Sequence, residues 1–321
     1  MKEHTALKVN AVKTRILYLT ILVAALVSMS PLAAQQTQKK AAPKAPQTAQ
    51  PKGTAPAQPA AGAWQPAKLS DGQPDIQGLW GDVLENIASL NVEPGEHLLK
   101  IGAPKYGALR TFKGFMIDPP DGVIPHQPWA LERRNQAMKE FLAPSPAMMD
   151  PQTRGWPNGM PRENYYSSVN NGPFQIFQPP GMVVFFYEIH HEFRIVPLDG
   201  RPHPGKDIEL WEGDSRGHWE GNTLVIEVRN NDDSTRFDVM GNFHSDQMKV
   251  TERWTIVDKD TLDYKATIDD PKVYTKPWTL GVKMVRAKPG TEIFEYAGVE
   301  GDTAATVTAP AIIKYNETQT K

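Results

Sequence analysis

The sequence predicts a mainly β fold, in which an antiparallel meander closes into a barrel with one or two peripheral helices and long proline-rich loops. Short β-type runs separated by turn residues fill the chain from Phe174 onward. There are about nine such runs, too many for an open sheet without an aggregation-prone edge, so a barrel is favoured over a sandwich. The chain also contains 29 prolines, which are excluded from central strands and helix interiors.

The candidate strands are residues 176–178, 182–188, 192–197, 217–220, 223–229, 247–257, 261–268, 282–287 and 292–297. Three of their connections, residues 198–201, 219–222 and 258–260, have the composition of hairpin turns. Within residues 223–229, Leu224, Ile226 and Val228 fall on one face of the strand. That face is therefore predicted to be buried against a core.

One helix is predicted in the irregular region of residues 80–180. It spans residues 127–142, because Pro128 lies near its start and Pro144 follows its end. Apolar residues recur at helical spacing within it, namely Leu131, Ala137, Met138, Phe141 and Leu142. We expect this helix and the proline-rich segments to lie outside the barrel or to cap one of its ends.

Residues 1–34 are typical of a secretory signal peptide. Lys8, Lys13 and Arg15 precede an almost uninterrupted apolar run at residues 16–27, and cleavage fits after Ala34. The run of about 12 residues is short for a transmembrane helix, which needs roughly 20. The sequence thus predicts a secreted or periplasmic protein with no membrane span after cleavage; the alternative is an uncleaved N-terminal anchor.

Residues 35–66 are almost entirely Gln, Ala, Pro, Lys, Thr and Gly, which predicts a disordered linker. Residues 67–321 are then predicted to form a single β-rich domain. Residues 1–66 hold 8 of the 35 basic and 1 of the 37 acidic residues, so the remainder has 27 basic and 36 acidic residues, a net charge of −9. This charge argues against nucleic acid as a partner.

Chemistry in this chain is predicted to depend on histidines and carboxylates. The absence of cysteine excludes disulfides, thiol catalysis and cysteine-ligated metal centres. The sequence also lacks a phosphate-binding loop, a Gly-x-Ser-x-Gly elbow, a Gly-x-Gly-x-x-Gly fingerprint and a His-Glu-x-x-His helix. Most nucleotide-dependent, α/β-hydrolase and zincin functions are thereby excluded.

Five of the eight histidines fall between His190 and His244, within the β region. His203 stands between two prolines, close to Asp199 and Arg201, where a stiff loop could aim its ring into a site. The alternative is a turn in which Asp199 caps backbone amides and His203 is exposed to solvent.

A second set of candidates lies further along the chain. His244, Asp246, Glu252 and Arg253 could converge at one end of the barrel. The alternative is a Ser/Asp capping turn followed by a cross-strand pair of Glu252 and Arg253. The catalytic candidates are therefore Asp199, Arg201, His203, His244, Glu252 and Arg253.

A divalent metal ion is a possible cofactor, with His203, His244 and Asp246 as its candidate ligands. For a glycoside hydrolase, Glu188 and Glu252 are the pair of carboxylates that could lie on facing strands. The acidic turns at residues 230–234 and 268–271 could hold Ca²⁺ in a purely structural domain, but they lack EF-hand spacing, and turn or capping roles are favoured.

The chain shows two resemblances. Gly78-Leu79-Trp80, at the start of the predicted sheet, is similar to the Gly-x-Trp of lipocalin-like barrels.

Residues 70–300 resemble a family of exported bacterial proteins generally labelled uncharacterised, which implies no particular activity. Relatives often carry cysteines near the positions of Gly155 and Ala297, so the bridge that the resemblance implies is absent here. The motifs that carry this second likeness are Asp199 to Pro204, Gly217 to Leu224, His244-Ser245, Thr251 to Arg253, Asp269 to Pro271 and Tyr274 to Trp278.

The leading hypothesis from sequence is an exported barrel that binds a small, partly apolar molecule and acts on it by His, carboxylate or metal-assisted chemistry. The aromatic residues of the β region would line such a site. The rival hypothesis is a non-catalytic carrier or cell-envelope interaction module. The sequence does not decide whether the protein is an enzyme.

Overall fold

Ten strands form one antiparallel sheet in the computed structural model, which describes residues 64–83, 91–102, 113–140, 150–165 and 172–295. The predicted signal peptide and residues 35–63 of the predicted linker lie outside the described residues. The strands are β1 (Gly78–Val83), β2 (Met116–Asp118), β3 (Phe174–Phe177), β4 (Met182–Tyr187), β5 (Phe193–Pro197), β6 (Asp214–Glu220), β7 (Thr223–Arg229), β8 (Lys249–Asp258), β9 (Thr261–Asp269) and β10 (Trp278–Arg286).

The sheet follows the order β5-β4-β3-β1-β10-β9-β8-β7-β6, and β2 pairs with β10 outside this path. The two end strands, β5 and β6, face each other, which brings the sheet close to a closed barrel. Arg194 of β5 donates from Nε to Ser215 Oγ of β6 at 2.9 Å. The missing side chain of Gly217 permits this approach, because a Cβ there would lie 2.7 Å from Val196 Cγ1. We call this meeting of β5 and β6 the seam.

Aromatic side chains fill much of the barrel interior. The ring of Trp254 lies 4.4 Å from that of Tyr264 and 4.9 Å from that of Phe185, measured between centroids. All three residues are fully buried. They are on strands whose burial alternates residue by residue, as the period of two in a strand requires.

The predicted mainly β fold and barrel are confirmed, and several strand limits differ from those expected. Leu224, Ile226 and Val228 of β7 are buried as predicted. The short strand β2 was missed, and β6 begins three residues before the predicted start. Residues 292–295 are not a strand, which corrects that part of the prediction; residues 296 and 297 lie outside the described residues.

The described helices are short and lie beside the sheet. They are α1 (Gly95–Lys100), α2 (Pro128–Lys139) and a 3₁₀ turn at Pro151–Arg154, with a further helical turn at residues 162–165. Within the described ranges, no helix combines the length and apolar character needed to cross a bilayer.

Helix α2 confirms the predicted element, and its buried face was predicted in part. Met138 of the predicted apolar set is buried, together with Ala130 and Arg134, whereas Leu131 is 42% exposed. Residues 141 and 142 of the predicted helix lie outside the described residues. A buried ion pair between Arg134 and Glu93 holds the buried face. A charged residue at the centre of the packing face does not contribute to an apolar pattern, which explains why the sequence did not identify Arg134.

Glu93 and Arg134 belong to a group that we call the helix anchor. Glu93 Oε1 also accepts from the backbone N–H of Ile124 at 3.2 Å and lies 3.3 Å from His97 Nε2. Nearby, Asp238 accepts four hydrogen bonds. Its donors are the backbone N–H groups of Val92, Met240 and Asn242 and the side-chain amide of Asn242, at 2.7 to 3.2 Å. The helix anchor comprises Glu93, His97, Arg134, Asp238 and Asn242.

Candidate functional site

A hydrogen-bonded polar network crosses the barrel interior beside the aromatic core. Arg194 Nη1 donates to Glu252 Oε2 at 2.8 Å, and Asn164 Nδ2 donates to Glu252 Oε1 at 2.9 Å. Asn164 Oδ1 accepts a hydrogen bond from the hydroxyl of Tyr187 at 2.6 Å, and Asn164 Nδ2 also donates to the hydroxyl of Tyr264 at 3.0 Å. Glu252, a catalytic candidate from the sequence, is therefore a fully buried member of this network.

The segment that contributes Asn164 is the proline-rich loop that follows Asp150. Asn158, Glu163 and Asn164 are all at most 1% exposed, so the loop enters the protein instead of covering it from outside. The carboxylate of Glu163 accepts from the backbone N–H of Asn158 at 3.1 Å. The next backbone N–H, of Gly159, donates to Glu212 Oε1 at 3.3 Å. The loop thus links Glu163 to Glu212, which directly precedes β6.

The turn between β4 and β5 brings a third carboxylate and a histidine to the same place. His190 Nδ1 lies 3.8 Å from Glu163 Oε1. Glu192 is close enough to Glu163 and Glu212 for their charges to affect one another. The resulting group lies beside the seam, and we call it the seam cluster: Asn158, Glu163, His190, Glu192, Arg194 and Glu212.

Burial and like charges raise carboxyl pKa values in the seam cluster. Desolvation raises the pKa of Glu212 well above its ordinary value, and repulsion from Glu163 and Glu192 adds to this effect. The pKa of Glu192 is raised by desolvation and by the charge of Glu163. Burial alone would lower the pKa of Arg194, but the attraction of Glu252 outweighs it and the pKa is raised. Glu212 therefore keeps its proton at a pH where an exposed glutamate has lost it.

Several buried polar atoms of the seam cluster have no hydrogen-bond partner. They are Asn158 Nδ2, Asn158 Oδ1, His190 Nδ1, Arg194 Nη2 and Glu212 Oε2. Asn158 is 1% exposed and Arg194 is 5% exposed. Buried polar groups are nearly always paired in folded proteins, since an unpaired one costs about 1–3 kcal/mol. A concentration of such atoms in one place indicates a site that a ligand or water completes.

The backbone of the β4–β5 turn is strained at the same position. His190 and His191 have φ values of 59° and 53°, in the left-handed region that residues other than glycine rarely adopt. Such conformations cost free energy and are common at functional sites. Here the strained turn holds the ring of His190 beside Glu163.

An aromatic pair lies next to the seam cluster. The rings of Trp156 and Trp211 are 5.0 Å apart at an interplanar angle of 31°. Trp211 Nε1 donates to the carbonyl oxygen of Pro157 at 2.7 Å, one residue before Asn158. Trp156 is 51% exposed, so this pair offers an accessible aromatic surface beside the buried polar groups. We call it the tryptophan rim.

His203 is joined to the seam cluster by no described hydrogen bond or ion pair. Its Nδ1 is 2.6 Å from Asp214 Oδ2, and Asp214 also binds Arg216 at 2.9 Å. His203 Nε2 is buried without a hydrogen-bond partner, 3.9 Å from Glu227 Oε2. The partner of His203 is thus Asp214, a residue that sequence reasoning missed.

His203 and Asp246, both predicted metal ligands, line one polar cleft of about 1030 Å³. Asp246 is exposed there and pairs with Lys272 at 3.0 Å. Among the residues that the structure describes, no group of three or more His, Asp or Glu side chains is arranged to hold a metal ion. The divalent metal stays a prediction without a described ligand set.

His244 is buried with both ring nitrogens engaged. Nε2 lies 2.6 Å from Thr235 Oγ1, and Nδ1 lies 3.1 Å from the carbonyl oxygen of Ser245, which can only accept. Desolvation lowers the pKa of His244, so the neutral ring is favoured. A catalytic or metal-binding role for His244 stays a prediction, for which this arrangement leaves no free nitrogen.

The remaining candidates lie at the surface. Asp199 and Arg201 pair with each other in an exposed turn, and the hydrogen bond from Arg201 lowers the pKa of Asp199 to about 2. Arg253 faces outward and donates to Glu220 at 2.7 Å. Glu188, considered as a glycosidase carboxylate with Glu252, accepts from the backbone N–H of Phe294 at 3.0 Å. No described hydrogen bond or ion pair joins any of these four residues to Glu252 or His203.

Sequence reasoning identified Glu252 but not the residues around it. Asn158, Glu163, Glu192, Arg194 and Glu212 come from separate loops and from β5, with no spacing that indicates a motif. A weak signal was available in Trp211-Glu212 and Trp156-Pro157-Asn158, since both place an aromatic residue beside a polar one in turn-rich sequence.

Searches for similar proteins returned no matching family model, no matching curated protein and no matching solved structure. The resemblance to exported bacterial proteins therefore lacks support from these searches. The nearly closed antiparallel barrel is compatible with the lipocalin-like architecture that Gly78-Leu79-Trp80 suggested.

Proposed function

We propose that this is an exported protein that binds a small molecule at the seam cluster and transfers a proton to it from Glu212. Export is supported by the basic residues and apolar run at the N-terminus. Ligand binding is supported by the unpartnered polar atoms and the adjoining tryptophan rim.

The observation that carries the catalytic part is the state of Glu212 Oε2. This oxygen is buried and unpartnered, and the carboxyl group has a raised pKa. A general acid needs a proton near neutral pH and a free position from which to donate it. Glu163, held by the backbone N–H of Asn158, supplies part of the negative charge that keeps the proton on Glu212.

The test is a comparison of the full-length protein with its Glu212→Gln variant on chromogenic esters, glycosides and phosphates. We expect activity of the wild type on one class and a loss of about 10²–10⁴-fold in kcat in the variant, the usual contribution of a general acid. Glu132→Gln, an exposed substitution on α2, is the matched control and should retain full activity.

The pH profile separates a general acid from a structural residue. Because Glu212 must carry its proton to act, kcat should fall as pH rises through the raised pKa. Equal activity of wild type and Glu212→Gln on every substrate would contradict the proposal. A ligand that is bound and released unchanged would favour the rival function, a non-catalytic carrier.

A second candidate centre is His203, because Asp214 orients its ring and Nε2 is unpartnered in the cleft wall. This arrangement suits a general base. Loss of activity in His203→Asn together with retained activity in Glu212→Gln would assign the chemistry to the cleft instead.

A further inference from the structure

The unpartnered atoms of the seam cluster define the chemistry of a suitable ligand. Arg194 Nη2 and Asn158 Nδ2 are donors that need an acceptor. Asn158 Oδ1 and Glu212 Oε2 are oxygen atoms that can accept a hydrogen bond and have no partner. The two kinds of atom lie close together. Asn158 directly precedes Gly159, whose backbone N–H donates to Glu212. Arg194 is near enough for its charge to act on the pKa of Glu212.

Charge and hydrogen-bonding capacity exclude two simple classes of ligand. An anion would bring a further negative charge close to Glu163 and Glu192, whose charges already raise the pKa of Glu212. An ammonium ion has only donors, so it would leave Arg194 Nη2 and Asn158 Nδ2 unpaired in a buried site. A neutral hydroxyl group both donates and accepts, and it is therefore suited to both sets of atoms.

The tryptophan rim adds a requirement for a flat apolar face. Trp156 and Trp211 lie beside Asn158 and Glu212, and Trp156 is half-exposed. A pyranose ring combines a C–H face that packs on an aromatic ring with hydroxyl groups around its edge. The seam cluster and the tryptophan rim together therefore suit a ligand that has both an apolar face and hydroxyl groups.

We infer that the ligand of the seam cluster is a neutral saccharide, with one sugar ring packed on the tryptophan rim and its hydroxyl groups bound by Asn158, Arg194 and Glu212. This inference rests on the proposed function, which it deepens by naming the substrate class. It assigns Trp156 and Asn158 to ligand binding.

The test is isothermal titration of the full-length protein with four neutral disaccharides: cellobiose, maltose, xylobiose and N,N′-diacetylchitobiose. Benzylamine and glucuronate serve as cationic and anionic comparison ligands. We expect binding of at least one disaccharide, with quenching of tryptophan fluorescence, and markedly weaker binding of the two charged compounds.

Two variants locate the binding. Trp156→Ala should weaken the disaccharide at least about tenfold through loss of the packing surface. Trp129→Ala, which removes a tryptophan of similar exposure on α2, is the matched control and should bind as the wild type does. Asn158→Ala should also weaken binding about tenfold, and it should fold normally because the Asn158 side chain has no partner to lose.

Each outcome bears on one of the two proposals. Binding of no disaccharide, tighter binding of benzylamine or glucuronate, or unchanged affinity in both Trp156→Ala and Asn158→Ala would overturn the saccharide inference. Turnover of an ester or phosphate that depends on Glu212 would overturn it too, while supporting the proposed function. Disaccharide binding without turnover would support a saccharide as the ligand and would contradict proton transfer from Glu212.

Discussion

The helix anchor and the seam cluster are both groups of buried charged side chains, and they differ in how completely their carboxyl groups are paired. In the helix anchor, each oxygen of Glu93 and Asp238 has a partner, and the unpartnered buried atoms are Arg134 Nε and Asn242 Oδ1. In the seam cluster, Glu212 Oε2 and Arg194 Nη2 have none. Buried charge and unpartnered nitrogen atoms therefore occur in both regions, and what distinguishes the seam cluster is the unpartnered carboxyl oxygen of Glu212.

Glu93 of the helix anchor and Glu212 of the seam cluster have pKa values that are shifted in opposite directions. Burial would raise the pKa of Glu93, but the hydrogen bond from His97 and the charge of Arg134 outweigh it, so the pKa is lowered. At Glu212, burial and two neighbouring carboxylates act together, so the pKa is raised. A cation beside the first carboxylate and anions beside the second explain the difference.

The largest expected effect concerns the ion pair of the helix anchor. Arg134→Met should lower the free energy of unfolding by about 3–5 kcal/mol, because it leaves the carboxylate of Glu93 buried without its cation. Arg133→Met, the adjacent exposed arginine that stacks on Phe243, should cost about 1 kcal/mol or less. Urea denaturation of both variants at neutral pH measures the difference. Equal losses would mean that the helix anchor is not held by this pair.

The next effect is an acid-dependent loss of stability at His126, which lies beside the helix anchor. Burial lowers the pKa of His126 to about 4, with an opposing contribution from Glu93 and a further lowering by Arg134. In the unfolded chain, His126 takes up a proton near pH 6.5. The contribution of the neutral, buried His126 to the free energy of unfolding is therefore fully present above that pH and falls as pH drops toward 4. The loss attributable to His126 is at most about 3 kcal/mol.

His126→Gln removes this titration. Urea denaturation between pH 7 and pH 4 should therefore give a shallower decline in the variant than in the wild type. Parallel declines would show that other groups cause the acid sensitivity.

The smallest expected effect lies on the alkaline side, in the seam cluster. The raised pKa of Glu212 stabilises the fold at low pH, and this contribution is lost as pH rises through the folded-state pKa. Glu212→Gln carries no such charge and should become more stable than the wild type as pH increases. Melting temperatures at pH 5 and pH 9 test the sign. A variant that is less stable at pH 9 would contradict the raised pKa.

Much of the fold could be predicted because strand patterns are local. The alternation of burial in β8 and β9 follows from the geometry of a strand, and the turns at residues 219–222 and 258–260, which connect paired strands, have suitable local composition. The limits of α2 were approximate and its buried face was predicted only in part, because Arg134 is buried through its pairing with Glu93 from another segment.

The candidate site could be predicted only in part, for the same reason. Glu252 stood out beside Arg253, yet the strand alternation sends Glu252 inward to Arg194 and Arg253 outward to Glu220. His203 was expected to work with Asp199, but Asp214 at the start of β6 is its partner. A hydrogen bond across strands depends on register, which local sequence does not specify.

The sequence alone determined the antiparallel meander, since side-chain periodicity and turn composition act over a few residues, and it determined the chemistry available to a chain without cysteine. Only the tertiary structure decided where that chemistry gathers. Gly159 and Glu212 are 53 residues apart along the chain, and they meet because the loop after Asp150 enters the protein beside the seam. Desolvation and like charge then raise the pKa of Glu212, and neither exists until the chain is folded.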